Sequence, residues 1–263
     1  MNKALKYFLY ITLFIVLTVL TQIGGIALVI GIYASQHLRF RFNLLVLTVA
    51  IYLILTFVIT PITAPIFGRE KVRNTDRVKP TSFITMLLNR NYVRPELNDL
   101  LLTASERLPS GFEIRYLDAS FPFINKFPLL PHLSHNDGRK IDISLMYQTL
   151  DGKLTNLKPS RSGYGVFVEP TPAEFDQTAA CKQLGYFQYD FPKYLTLGTS
   201  NADIQFSKEH TRSLINALLK SGQLQKLFIE RHLINRMRLT DARIRFQGCQ
   251  AVRHDDHIHI QIN

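Results

Sequence analysis

The last ten residues, His254-Asp255-Asp256-His257-Ile258-His259-Ile260-Gln261-Ile262-Asn263, hold three of the chain's eight histidines. Read as a strand, the two-residue period turns His257 and His259 to one face and Ile258, Ile260 and Ile262 to the other. The isoleucine face buries. Two imidazoles side by side on the opposite face suit a metal site, because neutral imidazole is a common zinc ligand. Zinc needs at least one more ligand, and the best candidates lie upstream in His132-Leu133-Ser134-His135-Asn136-Asp137-Gly138-Arg139-Lys140-Ile141-Asp142. Asn136-Asp137-Gly138 is turn chemistry. It puts His135 in a turn and Asp142 on the strand behind it, so that the two can converge. His135, Asp142 and His259 then leave a fourth position open for water, the layout of a catalytic rather than a structural zinc. Five of the eight histidines fall in these two clusters, which strengthens a signal that either cluster alone carries weakly.

The elements that must position these residues alternate without a regular repeat. Pro95 opens a helix whose Leu97, Leu100, Leu101, Ala104 and Leu108 share one face, and Pro109-Ser110-Gly111 stops it. Phe112 to Leu117, Lys140 to Tyr147, Tyr164 to Val168 and Leu224 to Glu230 read as strands. Ser207 is an N-cap for a helix running to Lys220. Short strands mixed with helices, with no βαβ repeat, define an α+β domain over residues 95–263. In it an antiparallel sheet carries the zinc site between flanking helices. Residues 68–94 are polar and basic and read as a linker.

Residues 1–67 have a different character. Residues 7–34 carry no charge, and neither do residues 42–67. Both exceed the roughly 20 residues that span a bilayer core. The first is too long for the apolar region of a cleavable signal. They read as two transmembrane helices joined by Ser35 to Arg41, which makes residues 1–67 a membrane anchor in contact with the lipid bilayer. Two spans put both termini on one side. Lys3, Lys6 and the basic residues after the second span then favour the cytoplasm for both.

All 20 acidic residues lie from Glu70 onward, where they meet 26 Lys and Arg. The modest positive excess suits an anionic surface such as lipid headgroups or cell-wall polymer. It is too diffuse for nucleic acid, which calls for a dense basic run with interleaved aromatics. The two cysteines, Cys181 and Cys249, have no zinc-knuckle spacing. A bridge between them would fasten the segment leading into the histidine strand and would suit an oxidising compartment. Two buried free thiols are the other reading. Tyr164 and its neighbouring aromatics read as core packing. His210 and His232 read as structural. Asp255 and Asp256 are either solvated turn residues or partners that fix an imidazole tautomer.

PHLSHNDGRKIDISLMY and HDDHIHIQ resemble the two signature segments of the penicillin-insensitive murein endopeptidases. More broadly they resemble the LAS peptidases (lysostaphin, D-alanyl-D-alanine carboxypeptidase and hedgehog-type folds), with their HxxxxxxD and HxH motifs. The resemblance covers about residues 95–263. It implies His135, Asp142 and His259 as Zn2+ ligands. It implies His257 as the residue that activates the water or stabilises the oxyanion, with His132 and His254 lining the site. The activity it implies is hydrolysis of an amide beside a D-amino acid in peptidoglycan cross-links. A D,D- or L,D-carboxypeptidase with the same zinc site is an alternative, as is a non-catalytic, membrane-tethered cell-wall binding protein. A peptidoglycan substrate places the domain on the periplasmic side of a multi-pass inner-membrane protein, against the charge rule.

Overall fold

A computed structural model describes residues 2–37 and 43–263. The first charge-free stretch is not one helix. It forms α1 (Lys3–Thr21) and α2 (Gly24–His37). Gln22 sits between them with φ 68°, a left-handed conformation that ends α1. The Thr21 hydroxyl accepts the Gly24 N–H at 2.8 Å and so opens α2. The glycines let the reversal close. A Cβ at Gly25 would fall 2.8 Å from the Phe14 ring, and one at Gly24 2.9 Å from the Leu17 Cβ. Continuous apolarity hides this break, because no charge or proline marks it.

The second stretch forms α3 (Leu44–Phe67). Its ladder loosens into a π turn over Leu55–Ile59 and a 3-10 turn over Ala64–Phe67. Pro61 and Pro65 lack the N–H that would continue the α pattern. Gly31 of α2 packs on Thr48 of α3. Among the described residues, α1 and α3 are each long and apolar enough to cross a membrane unaided. Arg39 and Arg41, expected between the spans, lie outside the described residues.

Residues 68–94 are not a linker. They fold as β1 (Glu70–Lys71), β2 (Val78–Pro80), a short helix over Phe83–Leu87, and β3 (Tyr92–Val93). Their polarity is satisfied inside the protein, which is why composition misleads. Arg69 is buried, and its guanidinium bonds the Phe121 and Asn136 carbonyls. Asn98 spans Glu70 and the Lys71 carbonyl.

The remaining strands are β4 (Ile114–Tyr116), β5 (Lys140–Ser144), β6 (Tyr147–Thr149), β7 (Leu154–Thr155), β8 (Ile204–Phe206), β9 (Leu224–Phe228), β10 (Ile244–Arg245) and β11 (His257–Ile262). The main sheet has the order β10-β9-β11-β5-β4-β2, and β7-β6-β8 form a side sheet. The main sheet is mixed rather than antiparallel. β9, β11, β5 and β4 alternate in direction, but β10 and β2 pair parallel at the two edges. These edge strands come from stretches too short and polar to show a period. Tyr164 to Val168, expected as a strand, lies in an irregular loop.

One face of this sheet is the core. Ile141, Ile143, Ile258 and Ile260 pack with Leu97, Leu100, Leu101 and Ala104 of the Pro95–Glu106 helix. Leu214, Ile215 and Leu218 of the Lys208–Leu219 helix complete the cluster. Each fully buried leucine or isoleucine contributes about 1.5–3 kcal/mol. Because side chains alternate along a strand, burying the isoleucines of β11 turns its histidines to the other face. Ser207 precedes the second helix as expected, but its hydroxyl serves Gln148 and His210 rather than the helix N–H groups.

Candidate metal centre

β11 lies between β5 and β9, and its register with β5 sets His259 directly opposite Asp142. Directly opposed residues share a face. His259 Nδ1 therefore meets Asp142 Oδ1 at 2.8 Å. His135 arrives from the turn. Gly138 in that turn adopts φ 79°, and a Cβ there would fall 3.2–3.3 Å from Arg69 Nε and the Arg94 backbone N. Only glycine combines that conformation with that approach.

His135 Nδ1 lies 2.9 Å from the Ala119 carbonyl, which takes its proton and leaves the Nε2 lone pair free. His135 Nε2 lies 3.0 Å from His259 Nδ1 and 3.1 Å from Asp142 Oδ1. Three donor atoms from residues 117 or more positions apart, His135 or Asp142 against His259, thus converge within 3.1 Å of one another. A tetrahedral ion with ligands at about 2.0–2.1 Å sets its donors roughly 3.3 Å apart. The cluster fits such an ion with a small outward adjustment. His132, His135 and Asp142, all buried, also form a group that could hold a metal ion. His132 reaches Asp142 through its other oxygen, Nδ1 to Oδ2 at 3.1 Å. Its Nε2 is buried without a partner among the described residues. Nitrogen and carboxylate donors suit zinc among other divalent metals.

The remaining histidines stand around this point. His257 Nδ1 bonds the Asp256 carboxylate, and Asp256 Oδ2 in turn accepts the Gly165 N–H at 2.6 Å. His257 Nε2 faces the centre, 3.7 Å from Asp142 Oδ2. The His254 ring lies 4.8 Å from that of His257, and its backbone N–H is held by Glu230 at 3.0 Å. Asp256 is therefore the tautomer-fixing partner, not a solvated turn residue. Asp255 pairs with the buried Arg253 beneath the strand.

Burial drives His254 well below its ordinary value, and the neighbouring His257 and His259 push the same way. Burial likewise lowers His259 to about 4, against the pull of Asp142. His257 runs the other way. Burial works to lower it, but the Asp256 and Asp142 carboxylates together push it up to about 9. Asp142 resists burial because the imidazoles of His135 and His257 hold it well below the usual carboxylate range. These directions belong to the protein without an ion.

Two site residues escaped the sequence reading. Tyr164, expected in the core, donates its hydroxyl to Asp142 Oδ2 at 2.7 Å. Its flanking Gly163 and Gly165 both take positive φ, so the S-G-Y-G stretch was a turn presenting one aromatic. Asp118 lies 3.5 Å from His132 Nδ1 and pairs with Arg90; nothing in its sequence context marked it.

The centre lines a cleft of about 330 Å³. One wall carries Pro131, His132 and Leu133, the other Gln188, Phe191 and Gln250. A Cys181–Cys249 disulfide ties the second wall to the Gln177–Gln183 helix. Outside the centre, His232 bonds the Val168 carbonyl and His210 bonds Ser207, both structural roles. No protein-family model matches this chain, and no curated protein matches it.

Proposed function

We propose that this chain is a membrane-anchored zinc metallopeptidase that hydrolyses an amide bond beside a D-amino acid in peptidoglycan cross-links. The observation that carries the reading is the convergence of His135 Nε2, Asp142 Oδ1 and His259 Nδ1 within 3.1 Å, at the floor of an open cleft and beside a carboxylate-backed histidine. Its peptidoglycan substrate rests on the resemblance of the segments at 131–147 and 254–261 to the murein endopeptidases.

In this reading His135, Asp142 and His259 hold the ion. Bound zinc would supply Lewis acidity, lowering the pKa of water toward about 7 and polarising the scissile carbonyl. The protein's own groups do the rest. Asp256 fixes His257 with Nε2 toward the centre, where its imidazolium would stabilise the developing oxyanion, give its proton to the leaving amine and regain one from the hydroxyl of the added water. Tyr164 occupies the second oxygen of Asp142, so that Oδ1 alone is offered. His254, kept neutral by burial, can donate a hydrogen bond toward a developing oxyanion. Burial of every one of these side chains excludes water that would otherwise screen them.

The test is digestion of cross-linked muropeptides by the full chain in detergent, with and without a chelator. Release of monomers that stops on chelation and returns with zinc supports the reading. Trimming of a terminal D-alanine without release of monomers would make the enzyme a carboxypeptidase. Turnover that survives chelation and zinc-free repurification would overturn the metal mechanism.

A further inference from the structure

The anchor and the domain are built as one body. Gln22, at the reversal between α1 and α2, accepts the Phe123 N–H at 2.9 Å. From α3, the Tyr52 hydroxyl donates to the Leu87 carbonyl at 2.5 Å, and Thr56 accepts from Asn89 at 3.2 Å. Phe57 stacks on Phe83 with centroids 6.0 Å apart, and Phe67 meets Phe123 at 5.0 Å. Arg69 follows directly and is buried in the domain. No flexible stretch intervenes. The α1–α2 reversal and the C-terminal half of α3 therefore sit at the domain end of the bundle.

The helices run antiparallel. Gly24 packs on Leu17 and Gly25 on Phe14, while Gly31 packs on Thr48. Hence the N-terminus of α1, the end of α2 at His37 and the start of α3 at Leu44 all lie at the end away from the domain. That end carries Lys3 and Lys6, and Arg39 and Arg41 fall in the sequence between α2 and α3. Three antiparallel helices rather than two therefore separate the N-terminus from the domain. Lys3, Lys6, Arg39 and Arg41 flank the helices in short segments, whereas Arg69, Lys71, Arg73, Arg77 and Lys79 belong to the folded domain. A long domain translocates largely regardless of its charge, so the short basic segments assign their own end to the cytoplasm. With three passes, a cytoplasmic N-terminus and an external domain are compatible. At 1.5 Å per residue α1 is about 28 Å long and α2 about 21 Å. The shorter pass requires local thinning of a core near 30 Å, which costs only fractions of a kcal/mol per Å.

The junction also exposes large apolar side chains. Ile66 is 81% exposed, and Phe67, Phe83 and Ile124 are at least half exposed. They continue the apolar surface of the helices onto the domain, where water would be a poor solvent for them. We propose that α1, α2 and α3 cross the bilayer as a packed three-pass unit with Lys3 and Lys6 in the cytoplasm, and that the domain is seated on the outer membrane surface through this collar. The occupant of the collar is the lipid headgroup and upper acyl region, argued from its continuity with the helices.

This deepens the peptidase reading in one respect and otherwise stands apart from it. β11 lies three strands from β2, about 14 Å across the sheet, and the Phe83–Leu87 helix beside β2 packs on α3. A domain of this size is roughly 40 Å across. A seated domain therefore reaches only peptides within about that distance of the bilayer, which selects stems close to the membrane over distant wall.

The test adds one free cysteine at a time to the full chain, whose two native cysteines are bridged to each other. Asn2→Cys and Asp203→Cys are probed in bacterial cells with a membrane-impermeant maleimide that enters the periplasm. Labelling of Asp203→Cys in intact cells, with Asn2→Cys labelled only after the inner membrane is opened, supports three passes and the sidedness. Labelling of both or of neither in intact cells would restore an even number of passes, and the inverse pattern would reverse the orientation; each overturns the proposal. Seating is read separately, because the chain has no tryptophan. Ile124→Trp in vesicles with brominated lipid should lose most of its fluorescence, while Arg245→Trp on the far edge strand should lose little. Equal, weak quenching of the two would remove the seat. Neither readout depends on activity, so failure here is distinct from failure of the peptidase reading.

Discussion

Asp142 and His259 stand opposite one another on neighbouring antiparallel strands, with Oδ1 and Nδ1 2.8 Å apart. The hydrophobic register of β5 and β11 enforces that pairing: slipping β11 by one residue would turn its histidines into the apolar core, slipping β5 would turn Asp142 into it, and either would move isoleucines out. The same force that closes the core therefore assembles two of the three donor atoms, and the glycine turn at 138 delivers the third.

His135→Ala, Asp142→Ala and His259→Ala should each lose bound zinc, because each removes one of three protein donors. His257→Ala should keep zinc and lose turnover by about 10²–10⁴-fold. Elemental analysis beside muropeptide digestion decides this. Zinc lost from His257→Ala and kept by His259→Ala would exchange the roles of the two histidines.

Asp256→Asn tests positioning. The amide still accepts the Gly165 N–H but no longer fixes a charged partner on His257 Nδ1. Zinc content should stay at wild-type level while kcat falls about 10–100-fold and KM changes little. A merely structural Asp256 would lower the melting temperature and leave kcat of the folded fraction intact.

The convergence of His135, Asp142 and His259 was legible in sequence because these residue types are rare and their spacings survive folding. The isoleucine alternation of β11 and the turn residues at 136–138 both carry a local physical signal. Tyr164 and Asp118 were not legible, since their roles depend on contacts 14 or more positions away along the chain, with Asp142 for Tyr164 and with Arg90 and His132 for Asp118. The reversal at Gln22 was invisible for a different reason. Apolar length measures whether a segment prefers lipid, not how often it turns within it. The polar stretch 68–94 misled because polarity satisfied internally, as at Arg69 and Asn98, looks like solvation in sequence.

Tyr164→Phe should weaken zinc affinity by about 10–100-fold without unfolding the domain. It removes the hydroxyl that engages Asp142 Oδ2 and leaves the ring packing against His132 and His257. Competition with a fluorescent zinc chelator measures it. Unchanged affinity would return Tyr164 to a packing role.

Cys181→Ser with Cys249→Ser should destabilise the domain by about 4 kcal/mol, since the bridge closes a separation of 68 residues. The loss should be accompanied by a higher KM, because the bridge tethers the wall that carries Gln188 and Gln250. Denaturant titration and steady-state kinetics in parallel separate the two effects. A lower stability with unchanged KM would limit the bridge to a structural role.

Lys158 offers a pH test away from the centre. Burial, helped by the Arg115 guanidinium and opposed by Glu113, pushes its ammonium down to about 7. Its Nζ donates to the Leu145 carbonyl at 3.1 Å. An unfolded lysine titrates near 10.4. Between these values the unfolded chain binds more protons than the folded one, so this group makes stability rise with pH across the window. Below about 7 both states are charged and the burial penalty is constant. Lys158→Met removes that penalty while keeping most of the side-chain volume. Its stability gain over the parent chain should be greatest at pH 7 and below and should shrink steadily toward pH 9.5, before the tyrosines begin to titrate. Paired thermal melts of the two proteins at pH 6, 7, 8 and 9.5 measure it, and a difference that does not change with pH would mean that Lys158 is not held as a buried charge.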